Sequence, residues 1–170
     1  MPLVIEIANK CRARADAALI KRAAAAALGS GDIELSIALI GPGAMRAFNK
    51  RVLGHDYTTD VISFDHGEGP RGERLLELVI CPSYARMQAA ALKIPATQEL
   101  ARYVVHGCLH LSGYDDTSEA KAASMWLLQE KMMRKLFGRV YQSAGGSRAA
   151  GAASSRAARR RNSRPLSPNS

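Results

Sequence analysis

The sequence predicts a single α+β domain in which a small mixed β-sheet packs against helices. Three observations predict it. The chain has 170 residues, enough for one domain with a real core and too few for two. Short runs rich in Val, Ile and Leu alternate with longer helix-favouring stretches. That interleaving stops at Ser143, where the composition changes to Ala, Gly, Ser, Arg, Pro and Asn. The expected division is therefore a folded unit over 1–142 and a disordered basic tail over 143–170, which lacks the apolar surface to offset its ordering entropy.

Leu3 to Ile7 is a short strand-like run. Arg12 to Leu28 is Ala-rich, and Gly29 would end that helix as a C-cap. Ile33 to Ile40 alternates and then turns apolar, as a half-buried strand does. Gly41-Pro42-Gly43 reads as a turn and Ala44 to Val52 as a helix. Thr59 to Phe64 and Leu75 to Ile80 read as strands joined by a loop carrying Gly67, Gly69 and Gly72. Pro82 opens a helix to about Leu92. Thr97 to Leu111 and Thr117 to Phe137 are the last two helices. In the final one Met125, Leu128, Met132 and Leu136 recur at three and four, with Trp126, Met133 and Phe137 beside them, and form a core stripe.

The bulk numbers exclude several classes. The longest apolar run, Ala23 to Leu28, is far short of the about 20 residues a membrane span needs, so no membrane partner is expected. The N-terminus has no basic segment before its apolar residues and does not read as a signal peptide, which places the chain in the cytoplasm. Cys11, Cys81 and Cys108 are odd in number and widely spaced. They argue against disulfides or a thiolate zinc knot and read as small buried hydrophobes. The net charge of +9 is concentrated in the tail, where six arginines stand with no acid. The first 142 residues carry +3, from 18 basic and 15 acidic residues. Arg159, Arg160 and Arg161 could grip phosphates non-specifically, or the tail could be a passive extension. Oligomeric state is not legible.

His106 and His110 lie four apart in a helical context, which stacks two imidazoles on one helix face within reach of one ion. Gly113 follows and can adopt positive φ, ending the helix and reversing the chain. Asp116 comes three residues later. The pattern H-x-x-x-H-x-x-G-x-x-D has the metzincin geometry, in which a glycine turn brings a third ligand back over a two-histidine helix. Zinc accepts a carboxylate as third ligand, and three protein ligands leave one position open, the arrangement of a catalytic site. The expected cofactor is one zinc ion per chain on His106, His110 and Asp116. Asp115 and Asp116 could instead cap the last helix, with Glu119 completing a capping box from Asp116. Zincin peptidases place Glu after the first histidine, and here that residue is Gly107, which counts against a peptidase.

At these residues the sequence resembles the YbeY family of bacterial endoribonucleases. The family pattern H-G-x-L-H-L-x-G-Y-D-H is met by His106-Gly-Cys-Leu-His110-Leu-Ser-Gly113-Tyr114-Asp115-Asp116, except at the last position. A second block, Phe48 to Phe64, is similar to L-N-x-x-Y-R-x-K-D-x-P-T-D-V-L-S-F, and Leu76 to Cys81 to the G-D-I-x-I strand. The blocks run in family order from about Leu3 to Phe137. The resemblance implies a zincin-like metal-bearing helix. It also implies a single-strand-directed endoribonuclease in small-subunit ribosomal RNA maturation and quality control, in contact with ribosomal RNA and small-subunit components.

This chain departs from the family in three places. Asp116 stands where the family has its third histidine, Leu53 where it has a basic residue and His55 where it has lysine. Lys50, Arg51 and His55 are candidate replacements for that charge, with Lys50 and Arg51 as RNA contacts. Asp60 could orient a ligand histidine or the attacking water, or could be a strand-opening turn residue. His66, in the Gly-rich loop, is expected to be solvated. An RNA-binding assembly factor whose metal is mainly structural is the alternative to an enzyme, and a metallopeptidase ranks behind both.

Overall fold

The structure is a computed structural model that describes residues 2–140 and 158–159. Four strands form a mixed sheet: β1 (Val4–Asn9), β2 (Ile33–Leu39), β3 (Val61–Glu68) and β4 (Arg74–Ile80), in the order β1-β2-β4-β3. β1 pairs with β2 and β2 with β4 in parallel, and β3 pairs with β4 antiparallel as a hairpin. Five helices complete the fold: α1 (Ala17–Leu28), α2 (Pro42–Leu53), α3 (Pro82–Leu92), α4 (Ala96–Leu111) and α5 (Glu119–Phe137). The expected α+β domain is what forms. No helix among the described residues is long and apolar enough to cross a membrane.

Boundaries differ from the sequence reading where a cap or a ladder decides them. α1 starts at Ala17, not Arg12, because the Leu19 amide donates to the Asp16 carboxylate at 3.0 Å and fixes the N-cap there. Gly41-Pro42-Gly43 is not a free turn. Pro42 occupies the first turn of α2, where its missing N–H costs nothing. β3 runs four residues beyond Phe64. Its outer half is polar and exposed, so it reads as loop, yet Glu68 still pairs with Arg74 across the hairpin. A bulge between Asp65 and Gly67 absorbs the irregularity.

Helix α4 is buried on nearly every face. It packs between the sheet, contributing Val104, Val105, Cys108 and Leu109 to the main core, and the neighbouring helices α1, α3 and α5. The close approach to the sheet needs Gly107. A Cβ there would stand 2.8 Å from Leu78 Cδ2 and 3.0 Å from Val61 Cγ2. Leu78 and Val61 are fully buried and have little room to give way. Arg74 ties down the far end of α4, its guanidinium donating to the Leu111 carbonyl and to Asp65, both at 2.6 Å. In α5, Met125 and Met133 are buried and Leu128, Met132, Leu136 and Phe137 pack against the core, as the stripe predicts. Trp126 is the exception and stands 36% exposed.

Cys81 and Cys108 are buried, whereas Cys11 is only half-buried. Of the tail, only Ala158–Arg159 is described, a two-residue strand β5 beside β3. The expected disorder over the rest of 143–170 concerns residues outside the described ones, as do the positions of Arg160 and Arg161.

Gly107 yields a stability prediction. Overpacking costs about 1–3 kcal/mol, and alanine's helix preference returns up to about 1 kcal/mol. With Leu78 and Val61 packed in the core the upper part of that overpacking cost, about 2–3 kcal/mol, applies, so Gly107→Ala should lose about 1–2 kcal/mol net in urea denaturation, and Gly107→Glu should not accumulate as folded protein. A Gly107→Ala chain as stable as the parent would show that α4 is not held this close.

Candidate metal centre

Helix α4 ends in a Schellman motif. The Tyr114 amide donates to the Leu109 carbonyl at 3.1 Å and the Gly113 amide to the His110 carbonyl at 3.0 Å. Gly113 has φ +98°, a conformation glycine reaches without steric cost. The chain reverses there, as the spacing predicts, and two consequences follow. The Tyr114 carbonyl comes to lie 3.1 Å from His110 Nδ1, and Asp116 returns to the histidine face.

Ser118, not Asp116, caps α5. Its hydroxyl accepts from the Lys121 amide at 3.2 Å. Asp115 accepts from the Thr117 amide and hydroxyl and pairs with Lys121, so it stabilises the turn. Asp116 is thereby left for the site. One ligand atom each from His106, His110 and Asp116 lie within 4.8 Å of one another.

The two imidazoles meet edge to face, with Nε2 atoms 3.0 Å apart. That contact is not a hydrogen bond between two donors. Each Nδ1 faces an oxygen acceptor: the Tyr114 carbonyl for His110, and Gln129 Oε1 at 2.9 Å for His106. Nδ1 of both rings therefore carries the proton, and both Nε2 lone pairs point into the shared space. Two lone pairs converging beside a carboxylate is a donor set for a cation, and its chemistry fits zinc. His110 is mostly buried, and this burial pushes its pKa down, reinforced by His106. Asp116, the Tyr114 carbonyl and Asp60 oppose that shift. The result keeps His110 neutral, the form a metal needs.

The remaining predicted residues divide. Asp60 lies near enough to act on the charge of His110, but it also opens β3. Its Oδ1 accepts from the Val61 amide at 2.8 Å and from the Thr59 hydroxyl. The strand-opening role is the one these hydrogen bonds show. His55 is exposed and stacks on Tyr57, whose hydroxyl bonds its Nδ1 at 3.0 Å. Lys50 pairs with Asp56 at 3.5 Å, and the Arg51 guanidinium lies over the Phe48 ring at 5.5 Å. Leu53 packs against the second apolar cluster of Met45, Ile62, Phe64, Val79 and Cys81, which explains why an apolar residue is comfortable there. His66, expected to be solvated, is exposed but bonded to Glu77 at 2.8 Å.

Sequence reasoning missed Gln129, Glu130, Arg102 and Glu99, four polar residues buried behind His106. A signal for one of them existed. Gln129 stands four residues from both Met125 and Met133, a polar residue inside an apolar stripe.

Comparison with known proteins now decides the family. A family profile described as endoribonuclease YbeY matches residues 5–137. This chain belongs to the endoribonuclease YbeY family. It is 38% identical over 146 residues to the endoribonuclease YbeY of an Anaeromyxobacter species, covering 84% of this chain and 73% of that protein. To the endoribonuclease YbeY of Salinispora tropica it is 33% identical, covering 76% of this chain and 93% of the relative. The solution structure of TM1509 from Thermotoga maritima shares the fold, with a TM-score of 0.58 and 24% identity over 79% of this chain and 90% of that one.

Two predictions rest on this geometry. Asp116→Ala should weaken zinc binding by more than the about 10–100-fold that loss of an outer hydrogen-bond partner costs. It should leave the metal-free melting temperature within about a degree, because Ser118 caps α5. Zinc content after dialysis and thermal melts check both, and full zinc retention would remove Asp116 from the ligand set.

The second concerns pH. The folded pKa of His110 lies below its ordinary 6.5, so the unfolded chain takes up a proton that the folded chain refuses. Stability from this neutral histidine is complete above pH 6.5 and is lost as pH falls below it through the depressed folded value. Urea midpoints of metal-free protein should fall over that window, and more steeply than those of His110→Gln. Parallel curves would contradict it.

Proposed function

We propose that this chain is a zinc-dependent, single-strand-directed endoribonuclease that acts in the cytoplasm on small-subunit ribosomal RNA, in maturation and quality control. Its partners on this reading are ribosomal RNA and components of the small ribosomal subunit. The observation that carries the metal is the convergence of the two Nε2 atoms, 3.0 Å apart, beside the Asp116 carboxylate. Family membership carries the RNA.

His106, His110 and Asp116 would hold one ion. When bound, it supplies Lewis acidity toward a phosphoryl oxygen or an attacking hydroxyl. The rest falls to the protein. The Tyr114 carbonyl and Gln129 accept from the two Nδ1 atoms and hold both rings with Nε2 aimed at the site. Asp60 spends Oδ1 on the Val61 amide, which leaves its other oxygen to orient a hydroxyl near His110. Lys50, Arg51 and His55 are exposed, and the first two offer positive charge and the third a ring N–H to the RNA backbone. Arg51, its guanidinium over the Phe48 ring at 5.5 Å, is a donor suited to phosphate. Arg159, Arg160 and Arg161 would add sequence-independent affinity.

The room at Gly107 argues against peptide hydrolysis. A glutamate after the first histidine would have to enter the packed space held by Leu78 and Val61. A non-catalytic assembly factor is favoured by one observation: Leu53 faces the core, so the family's basic residue has no direct counterpart there.

One experiment separates these readings. Full-length protein is incubated with single-stranded ribosomal RNA precursor and with casein, with and without chelator, beside a chain ending at residue 142. RNA cleavage abolished by chelator, with casein intact, is expected. The shorter chain should keep its zinc and cleave, but bind RNA more weakly, most visibly at low salt, since six arginines are gone. RNA that is bound but never cut would establish the assembly factor instead.

A further inference from the structure

Behind His106 lies a buried polar chain that links α4 to α5. Arg102 donates from Nη1 to Glu99 Oε2 at 2.9 Å and from Nε to Glu130 Oε1 at 2.9 Å. Its Nη2 lies 3.4 Å from Glu130 Oε2. Gln129 Nε2 donates to Glu130 Oε1 at 3.3 Å, and Gln129 Oε1 faces His106 Nδ1 at 2.9 Å. Glu99, Arg102, Gln129 and Glu130 are each no more than 3% exposed. Burying three ionisable groups is a poor way to gain stability. Apolar side chains of the same volume often serve as well or better, because desolvation offsets the attraction. The arrangement needs another reason, and its direction supplies one.

A glutamine amide can be turned end for end, and here its neighbours choose the end. The Glu130 carboxylate, gripped by Arg102, only accepts hydrogen bonds. The amide NH2 must therefore face Glu130, because the reverse orientation would set the amide oxygen against a carboxylate oxygen. Oε1 must then face His106, and an oxygen acceptor there requires a proton on Nδ1. Nε2 is left bare. We infer that Gln129, oriented by Glu130 and Arg102, is a positioning residue that fixes the tautomer and aim of His106 for metal binding. The inference rests on the metal-centre reading and names what prepares that centre. His110 is prepared separately, by the Tyr114 carbonyl of the Schellman turn. The two ligand rings are thus fixed from opposite sides, one by backbone and one by a side-chain relay.

The first measurement uses the unaltered, metal-free chain, so it does not depend on any variant folding. Long-range 1H–15N correlation of the histidine rings above neutral pH should show His106 protonated at Nδ1 and bare at Nε2. The opposite tautomer overturns the inference. The second measurement is zinc affinity by competition with a chromophoric chelator, for the parent, Gln129→Leu and Gln129→Glu, with folding followed by circular dichroism. Gln129→Leu keeps the volume and loses the acceptor, and zinc affinity should fall about 10–100-fold. Gln129→Glu can still accept from Nδ1 and, although its second oxygen is set against Glu130 Oε1, should bind zinc more tightly than Gln129→Leu, which a merely structural role would not produce. A parent chain that binds no zinc overturns the metal centre itself. A parent that binds zinc and a Gln129→Leu chain that binds it equally well overturn only the positioning role.

Discussion

The contact between α4 and the sheet at Gly107 is the constraint from which the site follows. Helix α4 can press onto β3 and β4 only because no Cβ intervenes between its backbone and the side chains of Leu78 and Val61. Close packing there buries the helix on its sheet side and fixes its rotation. With that rotation set, the i, i+4 spacing of His106 and His110 directs both rings toward the space bounded by α5 and the returning turn. The same contact removes the room in which a zincin peptidase keeps its glutamate. One steric fact thus orients the two histidines and leaves no space for a side chain at residue 107.

The turn after α4 does a second job through hydrogen bonds. A Schellman motif satisfies the last carbonyls of a helix, and here its geometry also delivers an acceptor to His110 and a carboxylate to the site. Ser118 matters because it takes over a duty that Asp116 would otherwise perform. A carboxylate that caps a helix points along the helix axis and is lost to a metal. Shifting the cap two residues downstream separates the structural role from the ligand role, and Asp115 takes the turn. The departure from the family pattern at Asp116 is therefore accommodated by the local fold and does not conflict with it.

Charge is distributed with a similar division. Acidic groups at Asp60 and Asp116 lie near the half-buried His106 and buried His110, while Lys50, Arg51 and His55 lie exposed on α2 and the segment after it. The two sets differ in the sign of the ligand they suit, a cation for the first and an anion for the second. Leu53 sits between these two regimes and belongs to neither, since its side chain completes the second apolar cluster.

Much of this was legible in the sequence. The helices and strands followed from periodicity, and the grouping of His106, His110 and Asp116 followed from H-x-x-x-H-x-x-G-x-x-D. Each depends on interactions spanning a few residues, which spacing records directly. Boundaries at Asp16, Pro42 and Glu68 were less legible, because a cap or a hairpin partner decides them, and composition sees neither. The capping role for Asp116 was removed only by Ser118 in the capping position. The relay through Gln129, Glu130, Arg102 and Glu99 was invisible beyond one polar residue in an apolar stripe. Its members lie on two helices whose relative rotation is set by packing. The sequence by itself determined which residues could bind a metal. Only the tertiary structure decided which nitrogen of each histidine carries the proton, because that depends on acceptors brought from elsewhere in the chain.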